Sequence, residues 1–327
     1  MENVSRLPNI RPSQNISADV GLIAHCDWSK TPSKRWMSLA CRTESGWQIS
    51  APEPVGSTET LFERLAKRKR ENGALLLGVD FSIGLPAAYA KAAGITGFRE
   101  FLNSIGKGKW PTWLDVATTP EEIGIHRPFY PARPGSAKRA HLLDALGLTA
   151  WDDLLRLCER ASKERPAAAS LFWTMGGNQV GKAAISGWQE LIIPNLDRIA
   201  LWPFDGPLHE LVRTNDIVIA ETYPGDIYSQ IGFPKRGWSK RKQGDRVRFA
   251  DSFAQWFMEK PHVKPGAILP LIATGFGEDP HAEDRFDSLV GLIGMIDVVD
   301  GGRYDGAPDT PQISEIEGWM LGHRRSG

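Results

Sequence analysis

The segment Gly73–Pro86 reads GALLLGVDFSIGLP, and it guides our interpretation of the whole chain. Ala74–Val79 is an apolar run that is too short for a helix, so we predict a buried strand in a sheet covered on both faces. Asp80 follows this strand directly. Because an unpaired buried carboxylate is costly, we expect Asp80 to lie at the ligand-binding edge of the sheet, beside a cation or water. The simpler alternative is that Asp80 caps the following turn.

Two further apolar runs end in an acidic residue in the same way. Val20–Cys26 precedes Asp27, and Asp216–Ala220 precedes Glu221. Since ligands bind at the carboxyl ends of strands in open α/β sheets, these acids are candidates for one shared site. We predict that the carboxylates of Asp27, Asp80 and Glu221 lie close enough to share a metal ion.

The composition predicts a globular protein with no general affinity for polyanions. The chain has 327 residues, 41% of them hydrophobic, and a formal net charge of zero. Its three cysteines are widely spaced without a CxxC motif, which argues against a disulfide framework or a structural zinc site and favours the cytoplasm. The N-terminus lacks the apolar core of a secretion signal, and no run approaches the roughly 20 apolar residues that span a bilayer, so we expect no membrane association. We interpret residues 1–18 as a flexible arm and residues 19–327 as a single domain.

The order of the remaining elements narrows the fold class. Trp36–Arg42 and Gly46–Ser50 predict two strands that follow the first one in an antiparallel meander, and a helix that begins at Ser57 leads to the strand at Ala74. A β-β-β-α-β order begins both the ribonuclease-H-like fold and the sugar-kinase/actin-like fold. We therefore predict an α/β protein with a mixed sheet, first antiparallel and then parallel, flanked by helices.

Residues 87–215 lack the strand pattern and contain many prolines and tryptophans. We predict a helical insertion here that forms a lid or a substrate wall. Its predicted helices are Ser136–Leu146, Trp151–Lys163 and Ala183–Ile193.

A glycine-rich turn lies within this insertion. Gly176–Ala183 reads GGNQVGKA and matches the phosphate loop GxxxxGK[ST] except at Ala183, which has no hydroxyl group for magnesium. Besides an ordinary turn, this segment suits a loop whose amides and Lys182 meet a substrate phosphate.

One segment is strongly basic. Lys235–Arg248 contains seven cations and one acid, with Trp238 among them. A solvated loop and a phosphate-binding patch explain this composition equally well, because cations beside a stackable aromatic ring suit nucleic acid. The predicted substrate-binding residues are Lys182, Trp238, Lys240, Arg241, Lys242 and Arg246.

The last predicted helix, Glu283–Val299, brings two more acids. Asp284 and Asp287 are three residues apart and therefore lie on one side of its first turn. Gly291 and Gly294 continue the same strip and would let the helix approach the sheet closely. We expect Asp287 to join the acids at the strand ends.

Five segments resemble the DUF429 family of predicted ribonuclease-H-like nucleases. They are GVDFSIGLP at residues 78–86, ETYPGDIY at 221–228, KRKQGDRVR at 240–248, DRFDSLVGLIGM at 284–295 and EGWM at 317–320. The resemblance covers most of the chain from about Gly21 to Met320, and the order of the motifs is its strongest part. It implies a ribonuclease-H-like core with acids at Asp27, Asp80, Glu221 and Asp287.

These observations predict a phosphodiester hydrolase that uses Mg²⁺ or Mn²⁺, most simply a nuclease, with nucleic acid or another phosphodiester as its substrate. The predicted catalytic residues are Asp27, Asp80, Glu221 and Asp287, and Asp284 is a further metal ligand. Two alternatives stay open. One is a phosphotransferase of the sugar-kinase/actin-like fold, and the other is a catalytically inactive module that binds nucleic acid.

Overall fold

The computed structural model describes residues 14–70, 72–161, 165–176 and 179–324. These residues form an α/β fold in which one mixed sheet is flanked by helices. In chain order the strands are β1 (Val20–Asp27), β2 (Trp36–Thr43), β3 (Gly46–Ile49), β4 (Glu53–Pro54), β5 (Ala74–Val79), β6 (Ala200–Trp202), β7 (Ile217–Glu221) and β8 (Val263–Lys264).

The strand order in the sheet is β6-β7-β5-β1-β2-β3-β8, and β4 pairs with β2. β2 is antiparallel to both β1 and β3, whereas β5 is parallel to β1 and β7, and β6 is parallel to β7. The predicted mixed sheet is therefore confirmed. Because β1, β5 and β7 are parallel neighbours, their carboxyl ends meet at one edge of the sheet.

Both faces of the sheet are buried, as the continuous apolar runs predict. In β5, Leu75, Leu77 and Val79 point into one hydrophobic cluster, while Ala74 and Leu76 point into the other. The alternation follows from the two-residue period of a strand. A strand with two covered faces can reach solvent only near its ends, and Asp27 and Asp80 are half-buried there.

The helices cover these two faces. They are α1 (Leu61–Ala66), α2 (Ala87–Ala93), α3 (Phe98–Ser104), α4 (Arg139–Leu146), α5 (Val180–Gly187), α6 (Leu208–Thr214), α7 (Pro224–Ile227), α8 (Gln243–Val247), α9 (Ala250–Glu259), α10 (Leu269–Ala273) and α11 (Ala282–Val299).

Helix α11 packs across β1 and β2, close to where the prediction placed it. A Cβ atom on Gly291 would lie 2.1 Å from Nε2 of His25 in β1, so only glycine allows this approach. The predicted close contact with the sheet is confirmed at this position. Gly294 differs, because a Cβ there would lie 2.5 Å from Cδ1 of Ile227, at the end of α7.

Residues 87–215 contain helices α2 to α6 and also β6, which extends the sheet beyond β7. The predicted helix Ser136–Leu146 begins later, at Arg139. The predicted helix Ala183–Ile193 begins earlier, at Val180, and continues after Gly187 as a π-helical segment, Trp188–Ile192.

The predicted helix Trp151–Lys163 is wrong. Its described part, residues 151–161, forms two 3₁₀ turns at Trp151–Leu154 and Leu157–Glu159. Between the turns, Arg156 has an extended backbone and directs its guanidinium toward Glu221. This tertiary contact overrides the local preference for a helix. Residues 162–164 lie outside the described residues.

The predicted arm, residues 1–18, falls within the described part of the chain only from residue 14. Ile16 and Ser17 are buried, and the Ile16 N–H donates to the carbonyl of Val299 at 2.9 Å. Ile16 therefore packs against the end of α11. Among the described helices, none is long and apolar enough to cross a membrane.

Candidate active site

A pocket of about 690 Å³ lies at the carboxyl ends of β1 and β5. Its volume is in the range of cavities that hold small ligands. Five acids and five basic residues line it: Asp27, Asp80, Glu283, Asp284 and Asp287, and Lys30, Lys34, Lys182, Lys240 and Arg241. Both charge signs thus converge on one concave surface, which suits a ligand that carries phosphate and a cation.

Asp27 and Asp80 form a carboxyl pair at the base of this pocket. Asp27 is the last residue of β1, and Asp80 directly follows β5, its parallel neighbour. The Asp27 carboxyl group is close enough to that of Asp80 for the two charges to interact, and Asp80 Oδ1 accepts the Trp28 N–H at 2.6 Å. Two like charges this close repel each other, which disfavours the fully ionised pair.

The electrostatics of the pair follow from its surroundings. Burial raises the pKa of Asp27 well above its usual value, and the neighbouring charges of Asp80 and Asp287 raise it further. Burial also raises the pKa of Asp80, although the Trp28 N–H opposes this shift. Lys240 lowers both pKa values without cancelling the effect of burial. Both carboxyl groups are therefore harder to ionise than carboxyl groups in water.

Asp287 has a different environment although it lines the same pocket. It is only 2% exposed, and both of its oxygens have partners. The Tyr228 hydroxyl donates to Oδ1, and the Lys240 ammonium donates to Oδ2. The structure thus brings Asp287 to the site as predicted, but with its negative charge already neutralised by a cation of the protein.

Asp284 also lines the pocket, one turn before Asp287 on α11. Its Oδ2 atom is buried without a hydrogen-bond partner among the described residues. Nδ1 of His281 lies 3.7 Å away and is likewise unsatisfied, because this distance is too long for a hydrogen bond. Burial raises the pKa of Asp284, and Glu283 raises it further.

Glu221 is not part of the pocket, which corrects its predicted role as a shared metal ligand. The side chain is 2% exposed and forms a bidentate ion pair with Arg156, at 2.5 Å to Oε1 and 2.7 Å to Oε2. Oε2 also accepts the Ile83 N–H at 2.6 Å. Because its oxygens are occupied by Arg156 and the main chain, Glu221 has a structural role in the strand-end loops.

The predicted substrate-binding cations differ in whether they line the pocket. Lys240 and Arg241 line the pocket, and Lys182 lines it from the insertion. Lys242 is exposed and does not line the pocket within the described part of the chain. Gly177 and Asn178 of the glycine-rich turn lie outside the described residues, so only its end, from Gln179, is seen at the pocket.

Two residues predicted to bind substrate have structural contacts instead. Arg246 is 3% exposed and donates to the carbonyls of Gly275, Lys240 and Gly277. Trp238 packs its ring against a cluster of aromatic side chains: Tyr228, Phe233, Phe249 and Phe286. The prediction that these two residues contact substrate is not supported by their positions.

Sequence reasoning missed Arg156 and Tyr228. Arg156 pairs with Glu221, and Tyr228 donates a hydrogen bond to Asp287. Arg156 is 65 positions from Glu221, and Tyr228 is 59 positions from Asp287. The only sequence signal is that Tyr228 belongs to the quoted segment ETYPGDIY. Lys30 and Lys34 also line the pocket, immediately after the strand that ends at Asp27.

Comparisons of this chain with protein family models, with curated proteins and with solved structures find no match. The candidate site is therefore defined by its own geometry.

Proposed function

We propose that this protein is a phosphodiester hydrolase that uses a divalent cation bound between Asp27 and Asp80. The observation that carries the proposal is that two acids, Asp27 and Asp80, lie at the ends of adjacent parallel strands and line the same pocket. The pair faces a pocket that five basic side chains line. Acids would hold the cation, and the basic residues would hold the phosphate.

The chemistry of the donors fits Mg²⁺ or Mn²⁺. Hard divalent cations prefer carboxylate oxygens, and Mg²⁺ is commonly bound by one or two carboxylates together with water and substrate phosphates. Within the described residues no group of three or more acidic, histidine or cysteine side chains is arranged to hold a metal alone. The pair of Asp27 and Asp80 therefore suits a site that substrate completes, rather than a permanent metal cage.

The protein's own groups have separate tasks in this proposal. When bound, the divalent cation supplies Lewis-acid polarisation of the phosphoryl group and lowers the pKa of water. Lys182 of α5 and Arg241 of the basic segment would bind phosphate oxygens, because both line the pocket. The Trp28 N–H holds Asp80 in place through its 2.6 Å hydrogen bond. These contacts orient the scissile bond above the carboxyl pair.

The strand order supports a ribonuclease-H-like core. β3-β2-β1 form an antiparallel meander, and β5 and β7 continue the sheet in parallel beside β1. That arrangement, with acids at the ends of β1 and β5, is what the resemblance to the DUF429 family implies. A fold does not determine an activity by itself, so the proposed function rests on the residues that line the pocket.

The proposal predicts that Asp80→Asn abolishes cation-dependent hydrolysis. The substitution preserves the shape of the side chain but removes a ligand charge, and we expect a loss of roughly 100-fold or more in both Mn²⁺ affinity and turnover. Hydrolysis of bis(p-nitrophenyl) phosphate, single-stranded DNA and RNA with Mg²⁺ or Mn²⁺ measures turnover. Asp144→Asn, at an exposed position on α4, is the matched control and should behave as wild type.

The same variant has an expected effect on stability. Without metal, Asp80→Asn should be at least as stable as wild type, because it removes repulsion between two buried acids. Wild type should gain about 2.7 kcal/mol of unfolding free energy at a Mn²⁺ concentration 100 times Kd, and the variant should lose most of that gain. Equal activity in Asp80→Asn and wild type would refute the proposal.

A second candidate function is phosphotransfer from a nucleotide. It is favoured by the position of Gln179, Lys182 and Ala183 at the pocket, since this turn ends the segment that resembles a phosphate loop. Stabilisation by Mg²⁺ with ATP, but not by Mg²⁺ with a dinucleotide, would select this function. Binding of nucleic acid without turnover under any of these conditions would select the inactive binding module.

A further inference from the structure

Lys240 occupies an unusual position for a residue of a basic surface loop. Its ammonium group donates to Asp287 Oδ2 and lies 3.5 Å from Glu283 Oε1. The side chain is 38% exposed, and it lines the pocket that also contains Asp27 and Asp80. One cation of the protein is therefore inserted among the acids that were predicted to bind metal.

The main chain around Lys240 is fixed by buried contacts. The Arg246 guanidinium donates to the Lys240 carbonyl, and it also donates at 2.7 Å to the carbonyls of Gly275 and Gly277. The Ser239 N–H donates to Asp245 Oδ2 at 2.8 Å. Because Arg246 is itself buried, it fixes the main chain at Lys240, from which the side chain reaches Asp287.

The partners of Asp287 leave it unsuited to a metal ion. A site for two divalent ions needs several carboxylates whose oxygens are free to ligate. Oδ1 of Asp287 accepts from Tyr228, and Oδ2 accepts from Lys240. Among the described residues, Asp27 and Asp80 have no ion-pair partner, whereas Asp287 already has one in Lys240.

We propose that Lys240 takes the place of a second metal ion, so that the site binds a single divalent cation, at Asp27 and Asp80. This inference rests on the proposed function. The ammonium group neutralises Asp287 and, from its exposed side, provides the positive charge that a phosphate oxygen would otherwise receive from the second ion. Lys240 thus acts as a built-in cation of a one-metal site.

Binding stoichiometry measured by isothermal titration with Mn²⁺ tests the proposal without an activity assay. We expect wild type to bind one ion per chain. Lys240→Met removes the ammonium group and leaves the Asp287 charge without its cation, so we expect it to bind a second ion. The double variant Lys240→Met/Asp287→Asn should bind one ion again. Lys242→Met, at an exposed position outside the pocket lining, is the matched control and should bind one.

The outcomes separate this inference from the proposed function. Two ions bound to wild type, or one ion bound to a folded Lys240→Met variant, would overturn the role of Lys240 while leaving the metal site intact. No ion bound to wild type would refute the proposed function itself. If Lys240→Met does not fold, Lys240→Gln, which keeps most of the side chain, is measured against the same expectation of two ions.

Discussion

At the scale of single residues, the three strand-end acids look alike in the sequence but differ in their partners. Each follows a short apolar run, and this pattern was sufficient to find the pair Asp27 and Asp80. It was not sufficient to exclude Glu221, because the partner that occupies it, Arg156, belongs to a segment predicted as a helix. Ion-pair partners distant in the chain leave no local signal, so the sequence predicts which residues are acidic but not which remain available.

The structural role of Glu221 predicts that Glu221→Gln affects stability rather than metal binding. Loss of one partner from a buried ion pair leaves the Arg156 charge uncompensated on that side and costs about 3 kcal/mol or more. We expect a lower melting temperature and an unchanged Kd for Mn²⁺, the reverse of the expectation for Asp80→Asn. Thermal melting and Mn²⁺ titration of both variants measure this. If Glu221→Gln loses Mn²⁺ binding while its melting temperature is unchanged, Glu221 is a metal ligand and this account is wrong.

At the scale of elements, helix α11 shows what periodicity predicts well. Its length and the contact of Gly291 with the sheet follow from the spacing of apolar and small residues. The short strand β6 was not predicted, because three residues carry too little periodic signal to distinguish a strand. The same limit applies to residues 151–161, where Arg156 leaves the helical path to reach a buried acid.

The packing of α11 on β1 also encloses a neutral histidine. His25 is fully buried; its Nδ1–H donates to the Ser288 carbonyl at 3.1 Å, and its Nε2 accepts from the Thr222 hydroxyl at 2.8 Å. Burial lowers its pKa to about 3, against the opposing effect of the Ser288 carbonyl. The unfolded chain binds a proton at this side chain below about pH 6.5, but the folded protein does so only near pH 3. Stability is therefore lost as pH falls through this window.

This linkage predicts that the unfolding free energy of wild type depends more strongly on pH than that of His25→Gln. Between pH 7 and pH 5, His25 should remove about 2 kcal/mol of unfolding free energy. We expect the decrease measured by urea unfolding to be smaller by about that amount in His25→Gln than in wild type. His126→Gln, at an exposed position, is the control and should follow wild type. An identical decrease in all three proteins would contradict the account of this contact.

At the scale of the whole molecule, the formal net charge is zero, but charged side chains of both signs are concentrated in one pocket. The chain as a whole attracts neither sign, yet five acids and five basic residues converge at the ends of β1 and β5. The mixed sheet that brings them together could be predicted from the order of the apolar runs. The pairing inside the pocket could not, because it depends on how α11 and the loop at Lys240 meet the sheet edge.

The central claim is that Asp27 and Asp80 together hold one divalent cation. Crystals soaked in Mn²⁺, with anomalous diffraction data, test it most directly. We predict a single anomalous peak between the two carboxyl groups, about 2.0 to 2.6 Å from an oxygen of each. No peak within this distance of either carboxyl group at saturating Mn²⁺ would contradict the claim.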